Sequence, residues 1–212
     1  MKCSFITTRL LILLFIAILF TSCATSYITS VVKSQPEHPY SSIMLVCISG
    51  NSFKGFTEEN FNRYVQNNFN NVRHLKFRKQ LEKALDRNLA PNGFPRIIKS
   101  SDVFKADETY TYEEFMAKVK RSGCEALLMI NLKNYWYTTD YVTTHYKHSS
   151  VTREDDEPNS SYDTYLYDVG DLENYKWIGQ ITVEGIYAGY DTLNNYLARR
   201  VANKLRKEKM IY

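Results

Sequence analysis

Two histidines and a run of carboxylates are the first residues that could do chemistry. His145 and His148 are three positions apart, and Asp155, Asp156 and Glu157 follow soon after. Imidazole nitrogens and carboxylate oxygens suit a divalent ion when three or four of them are held in fixed geometry. Here they fall on His148–Ser161, HSSVTREDDEPNSS, a polar stretch without an apolar period. That composition predicts a flexible loop, about residues 147–161, and no metal site. Asp168 and Asp171 are a second carboxylate pair of the kind used in general acid–base chemistry. They flank Gly170, and their type and spacing suit a turn instead. No Gly-x-Ser-x-Gly elbow is present. Nor is there a glycine-rich phosphate loop in a chain with only 8 glycines. The reading is therefore no catalytic residue, no metal and no cofactor.

Tyrosine is the strongest compositional signal, with 17 in the chain and a crowd between Tyr135 and Tyr175. Its ring is apolar and its hydroxyl wet, which suits both strands and binding surfaces. Tyr135, Tyr137, Tyr141 and Tyr146 make the candidate interaction surface. On an extended strand the first three share one face, because side chains alternate. The competing role for these rings is to cover the chain's own sheet or a loop. Trp177 reads as a core or cross-strand anchor.

The four cysteines divide by position. Met1–Arg9 carries Lys2 and Arg9, Leu10–Phe20 is the unbroken apolar run LLILLFIAILF, and Thr21-Ser22-Cys23 are small. Such an order marks a secretory signal, and the apolar run is shorter than the ~20 residues a membrane-spanning helix needs. Phe20-Thr21-Ser22-Cys23 resembles the bacterial lipobox, although an aliphatic residue is more usual where Phe20 stands. The resemblance implies cleavage before Cys23 and acylation of its sulfur. Ordinary cleavage after Ala24 is the competing reading, and either exports the protein. Several acyl chains, at ~0.8 kcal/mol per buried methylene, make a lasting anchor. Residues 1–22 are thus expected to be a signal peptide, and 23–40 a lipidated cysteine with a tether, ATSYITSVVKSQ being its core. Cys47, in IMLVCI, and Cys124, in GCEALLMI, read as small core residues. An oxidising compartment would also permit a bridge between them.

Formal charge is +4, and removal of residues 1–22, which hold two basic and no acidic residues, leaves +2. Neither this balance nor any basic block suggests nucleic acid. About 190 residues remain, enough for one domain with a full core.

The elements that must position these residues follow from period and punctuation. Ser42–Ser49, SIMLVCIS, is an apolar run suited to a strand buried on both faces. Phe56–Leu89 is helical, opened by Thr57 and stopped at Pro91-Asn92-Gly93. Its asparagines Asn67, Asn68, Asn70 and Asn71 predict a break near the middle. Pro95–Lys99 is a short strand, and Tyr112–Ser122 a helix ending at Gly123. Glu125–Tyr137 begins a second buried strand, with Tyr141–Tyr146 a possible return arm. Tyr162–Val169 and Lys176–Glu184 pair as a hairpin. Asp191–Lys209 closes as an amphipathic helix with basic residues toward its C-terminus. The order β-α-β-α-β-β-β-α predicts one α/β (α+β) domain over residues 41–212, a mixed sheet of about five strands with helices packed on it.

That order resembles small envelope lipoproteins whose α/β domain is akin to the N-terminal domain of the Tol–Pal translocation protein. The penicillin-binding-protein activator lipoproteins and the curli secretion lipoprotein have related domains. The residues that carry the resemblance are Ser42–Ser49, Gly123-Cys124-Glu125-Ala126-Leu127, Tyr165–Val169 with Trp177, and the end of the closing helix, Leu205–Ile211. Together with the lipobox it implies a lipid-anchored protein of the bacterial cell envelope, with the outer membrane, facing the periplasm, as the default site. Its partners would be the membrane, through the anchor, and an envelope protein or peptidoglycan or another glycan. The expected function is non-enzymatic binding of an envelope assembly or cell-wall component. The alternative is a carboxylate-dependent enzyme acting on cell wall or glycan, built around Asp140–Asp171. Fold alone does not choose between them.

Overall fold

An apolar run with no polar alternation needs an apolar layer on each side, and Ser42–Ser49 finds both. The computed structural model describes residues 24–50, 53, 55–185 and 189–212. It contains β1 (Ala24–Val32), β2 (Ser42–Ser49), α1 (Glu58–Asn60), α2 (Leu75–Leu89), β3 (Arg96–Lys99), α3 (Ser100–Val103), α4 (Tyr112–Arg121), β4 (Ala126–Tyr146), β5 (Ser149–Asp168), β6 (Asp171–Gly185) and α5 (Tyr190–Lys207). One open, six-stranded sheet has the order β1-β6-β5-β4-β2-β3. β2 is parallel to β3 and β4, and the remaining pairs are antiparallel. The mixed α/β expectation therefore holds, with one strand more than predicted.

The sheet separates two cores. Ile43, Leu45 and Cys47 of β2, with Ala126, Leu128 and Ile130 of β4, face α2 and α5. Those helices contribute Leu81, Leu85 and Leu89, and Leu193, Leu197, Val201 and Leu205. Met44, Val46, Ile48, Leu127 and Met129 face the other way, into a largely aromatic layer. There Phe56, Phe61, Phe69, Phe104 and Phe115 interlock; Phe104 and Phe115 stack with centroids 4.9 Å apart. Edge and offset contacts of this kind add to the area that the rings bury.

Local signals account for the helix limits. Thr57 accepts a hydrogen bond from the Asn60 amide, and Thr111 with Glu114 forms a capping box on α4. The expected break in Phe56–Leu89 is present between Val65 and Leu75. Asn71 accepts from the Arg73 amide, and the Asn70 side chain donates to the carbonyls of Lys105 and Glu108. Side-chain amides that satisfy backbone groups in this way compete with the helix ladder.

Two segments differ from their sequence reading. Residues 24–32 are an edge strand and not a free tether, paired along their length with β6 from Ala24↔Gly185 to Val32↔Trp177. The segment hides this because its side chains are Ser, Thr and β-branched, with little apolar alternation; the backbone ladder to β6 places it. α5 adds side-chain ties, Arg200 Nε to Ser26 Oγ at 2.8 Å and Ser30 Oγ to Glu208 Oε1 at 2.8 Å. Likewise the stretch predicted as a loop at 147–161 is strand from Ser149 onward, paired with β4. Alternation arises only when one face is buried, and from Ser149 to Asp156 both faces meet water.

Candidate functional site

β4 outruns its neighbours. Its pairing with β2 ends at Ser49↔Leu132, and the pairing of β5 with β6 starts only at Asn159↔Glu184. From Tyr137↔Pro158 to Tyr146↔Ser149 the two strands, among the described residues, pair only with each other. These ten pairs, at ~3.3–3.4 Å per residue, make an arm about 30 Å long. Lys147 and His148 form the turn at its tip.

A bulge sets which way the arm's side chains point. Register shifts between Leu132 and Asn134, so Lys133 is the extra residue. Before it, even-numbered β4 residues face α2 and α5; beyond it, odd-numbered ones do. Tyr135, Tyr137, Tyr141 and His145 therefore share the α5 side, while Trp136, Val142 and Tyr146 take the other. The candidate surface is thus divided: Tyr146 does not join Tyr135, Tyr137 and Tyr141, because its strand position has opposite parity.

Tyr190, in the first turn of α5, completes the odd face at the arm's base. Its ring stacks on Tyr135 with centroids 5.6 Å apart and planes 13° from parallel. Tyr137 meets Tyr135 edge-on at 5.2 Å and 90°, and the Tyr137 and Tyr190 hydroxyls are 3.0 Å apart. Burial, and then the hydroxyls of Tyr137 and Tyr190, push the Tyr135 phenol well above its ordinary value. Tyr137 is held below its ordinary value, first by Tyr135 and then by Tyr190. Tyr137 and Tyr141 are 53% and 67% exposed, leaving their rings free for contact. Sequence reading misses Tyr190 because it lies 53 positions from Tyr137 and only packing joins them.

The arm is braced across its strands by Thr139 Oγ1 to Asp156 at 2.8 Å, Thr143 to Thr152 at 3.0 Å, and Asn159 Nδ2 to Thr138 Oγ1 at 2.8 Å. Arg153 pairs with Asp155 at 2.6 Å.

The other candidates have structural duties. His145 lies opposite Ser150 on the ladder and His148 is in the turn. Among the described residues no three His, Cys, Asp or Glu side chains converge as metal ligands. Asp168 accepts from the Gly170 amide at 2.7 Å, and Asp171 accepts from the Asn174 side chain at 3.1 Å, so both carboxylates hold the hairpin turn. Trp177 is fully buried, its indole N–H donating to Glu208. Cys47 and Cys124 are both free and buried, in cores on opposite sides of the sheet. Burial raises both thiols, Cys47 strongly. Buried Arg78 donates to the Phe69 carbonyl, and buried Glu82 accepts from Ser100 Oγ at 2.7 Å, joining helices across loops. Cys23 and the predicted signal peptide lie outside the described residues. No helix among the described residues is long and apolar enough to cross a membrane.

No protein-family model and no curated protein matches the chain. Among solved structures it is similar to the PelC dodecamer from Paraburkholderia phytofirmans, at 13% identity over 86% of this chain and 97% of that one, with a TM-score of 0.48. It is also similar to lipoprotein GNA1162 from Neisseria meningitidis, at 15% identity over 78% and 98%, with a TM-score of 0.37. A third is the putative neuraminyllactose-binding hemagglutinin homolog from Helicobacter pylori, at 14% identity over 84% and 88%, also with a TM-score of 0.37.

Proposed function

We propose that this protein is a lipid-anchored, non-enzymatic component of the bacterial cell envelope, held at Cys23 on the outer membrane and facing the periplasm. It acts by binding an envelope assembly or cell-wall component, as the resemblance to the Tol–Pal translocation protein domain implies. The observation that carries this reading is the arm: a braced two-stranded ribbon that presents Tyr137 and Tyr141 to solvent while Tyr190 pins its base. Rigid aromatic rings with a wet hydroxyl give much contact area for little entropy loss, as binding surfaces require. Four carboxylates of the Asp140–Asp171 region are engaged in structural contacts, which supports binding over cell-wall or glycan hydrolysis. Asp156 is engaged with Thr139, Asp163 with Lys133, and Asp168 and Asp171 with their turn.

The test is a pull-down from envelope membranes with the wild-type chain and a Tyr135/Tyr137/Tyr141→Ala variant. Partners or glycan fragments retained by the former should be lost from the latter. Identical captures would reject the tyrosine face. For the anchor, incorporation of labelled palmitate should vanish in Cys23→Ala, and persistent label would reject lipidation at that residue.

A further inference from the structure

Four residues lie in one row across the sheet at the base of the arm: Thr25 pairs with Glu184, Glu184 with Asn159, and Asn159 with Trp136. Ala24, the next residue toward the arm, pairs with Gly185. β1 runs away from this row and β4 runs toward and beyond it. The chain preceding Ala24 therefore leaves the sheet at the end from which the arm projects. Cys23 is one peptide bond from Ala24, and because residues 24–32 are strand, no free tether separates an acyl group there from the domain.

We propose that the arm lies along the surface of the bilayer that holds the anchor, with its tip in an anionic headgroup layer and the even-numbered face of that tip turned to lipid. This rests on the reading of Cys23 as lipidated. Three observations carry it further.

Length, backbone chemistry and charge disfavour a perpendicular arm in a single chain. An arm of about 30 Å would reach across a hydrocarbon core of similar thickness. Beyond Leu132 and Asn159 its outer edges have no neighbouring strand among the described residues, and unpaired amides and carbonyls are not tolerated in lipid. Asp140, Asp155 and Asp156 would be carried in as well. A short link at one end of the sheet and an arm poorly suited to dive leave the plane of the surface.

The tip has the composition for that place. Tyr141–Arg153 contains no acidic residue; its cations are Lys147 and Arg153, the latter paired with Asp155, and His145 lies beside the turn and His148 in it. The acidic residues, Asp140 and Glu154–Glu157, sit toward the base. Tyrosine and tryptophan favour the membrane interface, and lysine and arginine favour anionic headgroups.

The two faces differ at the tip. Tyr146, Val142 and Val151 are on the even side of the ladder, where Val142 lies opposite Arg153. Tyr146 and Val151 are 60% and 56% exposed. Nearer the base the even side carries Asp140 opposite Asp155, and the opposite face carries Tyr141 beside Glu154 and Thr139 beside Asp156. Lipid contact through the even side leaves Tyr135, Tyr137 and Tyr141 open for the proposed partner.

The test uses the full lipoprotein, purified from membranes of cells fed labelled palmitate and reconstituted in vesicles of phosphatidylethanolamine and phosphatidylglycerol. Tyr146→Trp and Tyr141→Trp are each made in a Trp136→Phe background, and a native near-ultraviolet dichroism spectrum confirms folding. Lipids brominated near the carbonyl end of the acyl chain should quench the indole at position 146 severalfold more than that at 141. Lipids brominated near the terminal methyl should quench neither. Lys147→Glu should reduce the quenching at 146. Deep quenching, or no quenching at 146 while Cys23 carries label, overturns the proposal and leaves the anchor reading standing; the second result makes a protein partner the occupant. Absence of label from Cys23 removes the anchor reading and this inference with it.

Discussion

Tyr135 of β4 and Tyr190 of α5 stack almost parallel, 5.6 Å between centroids, and so join the root of a projecting strand pair to the first turn of the closing helix. The contact settles which face of the arm is supported by the domain and which is free. Removing it should loosen the arm without unfolding the protein. Tyr190→Ala is expected to cost about 1 kcal/mol or less, since aromatic pairs contribute about 0.5–1.5 kcal/mol beyond burial and Tyr190 is itself 48% exposed. Urea denaturation should show a small midpoint shift, while hydrogen exchange in residues 135–141 rises. Unchanged exchange would mean that the stack does not steady the arm.

The arm itself should be dispensable for folding. Its side chains beyond Tyr137 are exposed apart from partly buried Val142 and Asp155 and buried Glu157 and Pro158, and they contribute no residue to either hydrophobic cluster. Replacing residues 138–157 by Asn-Gly joins the strands with a two-residue turn of favoured type. Cooperative thermal unfolding within a few degrees of wild type is expected, together with loss of captured partners. Loss of cooperative unfolding would show that the arm is part of the core.

Trp177 explains a glycine. A Cβ at Gly179, two residues along the same face of β6, would collide with the Trp177 ring and lie 2.9 Å from Thr164 Oγ1. Gly179→Ala should destabilise by about 1–3 kcal/mol, the usual cost of overpacking, and shift indole fluorescence to the red. An unchanged midpoint would show that the ring has room to move.

Glu208, the acceptor for the Trp177 indole, makes stability depend on acid. Burial is the largest single influence and opposes its charge. Donors from Ser30, Trp177 and Lys204 together outweigh burial and hold the carboxyl below its ordinary value of 4.5. A carboxylate with a depressed folded pKa stabilises above its unfolded pKa, and that contribution disappears as pH falls through the folded value. Wild type should therefore lose stability more steeply below about pH 4.5 than Glu208→Gln does. Parallel stability–pH curves for the two would refute this role.

The thiols should be silent until the chain unfolds. Cys47 and Cys124 are buried with raised pKa values, which suppresses the reactive thiolate. Neither should react with a disulfide reagent in the native protein, and both should react in denaturant. Absence of both thiols after unfolding would indicate a bridge, against the free state observed on opposite sides of the sheet.

The sequence by itself determined whatever depends on local period or on one face being buried. Ser42–Ser49 had to be a two-sided buried strand because nothing in it tolerates water. Tyr112–Ser122 had to be a helix stopped at Gly123, and Tyr135, Tyr137 and Tyr141 had to share a face if extended. The even position of Tyr146 already set it apart from them; their exposure was not legible, nor was the sheet face they take, because the single bulged residue Lys133 decides that face. The polar strands Ala24–Val32 and Ser149–Pro158 left no periodic signal, since backbone ladders to a neighbouring strand place them. Tyr190 reached the arm only when α5 packed on the sheet. Local pattern records which side chains avoid water; which distant strand completes a ladder, and which ring meets another, is decided only by the folded sheet.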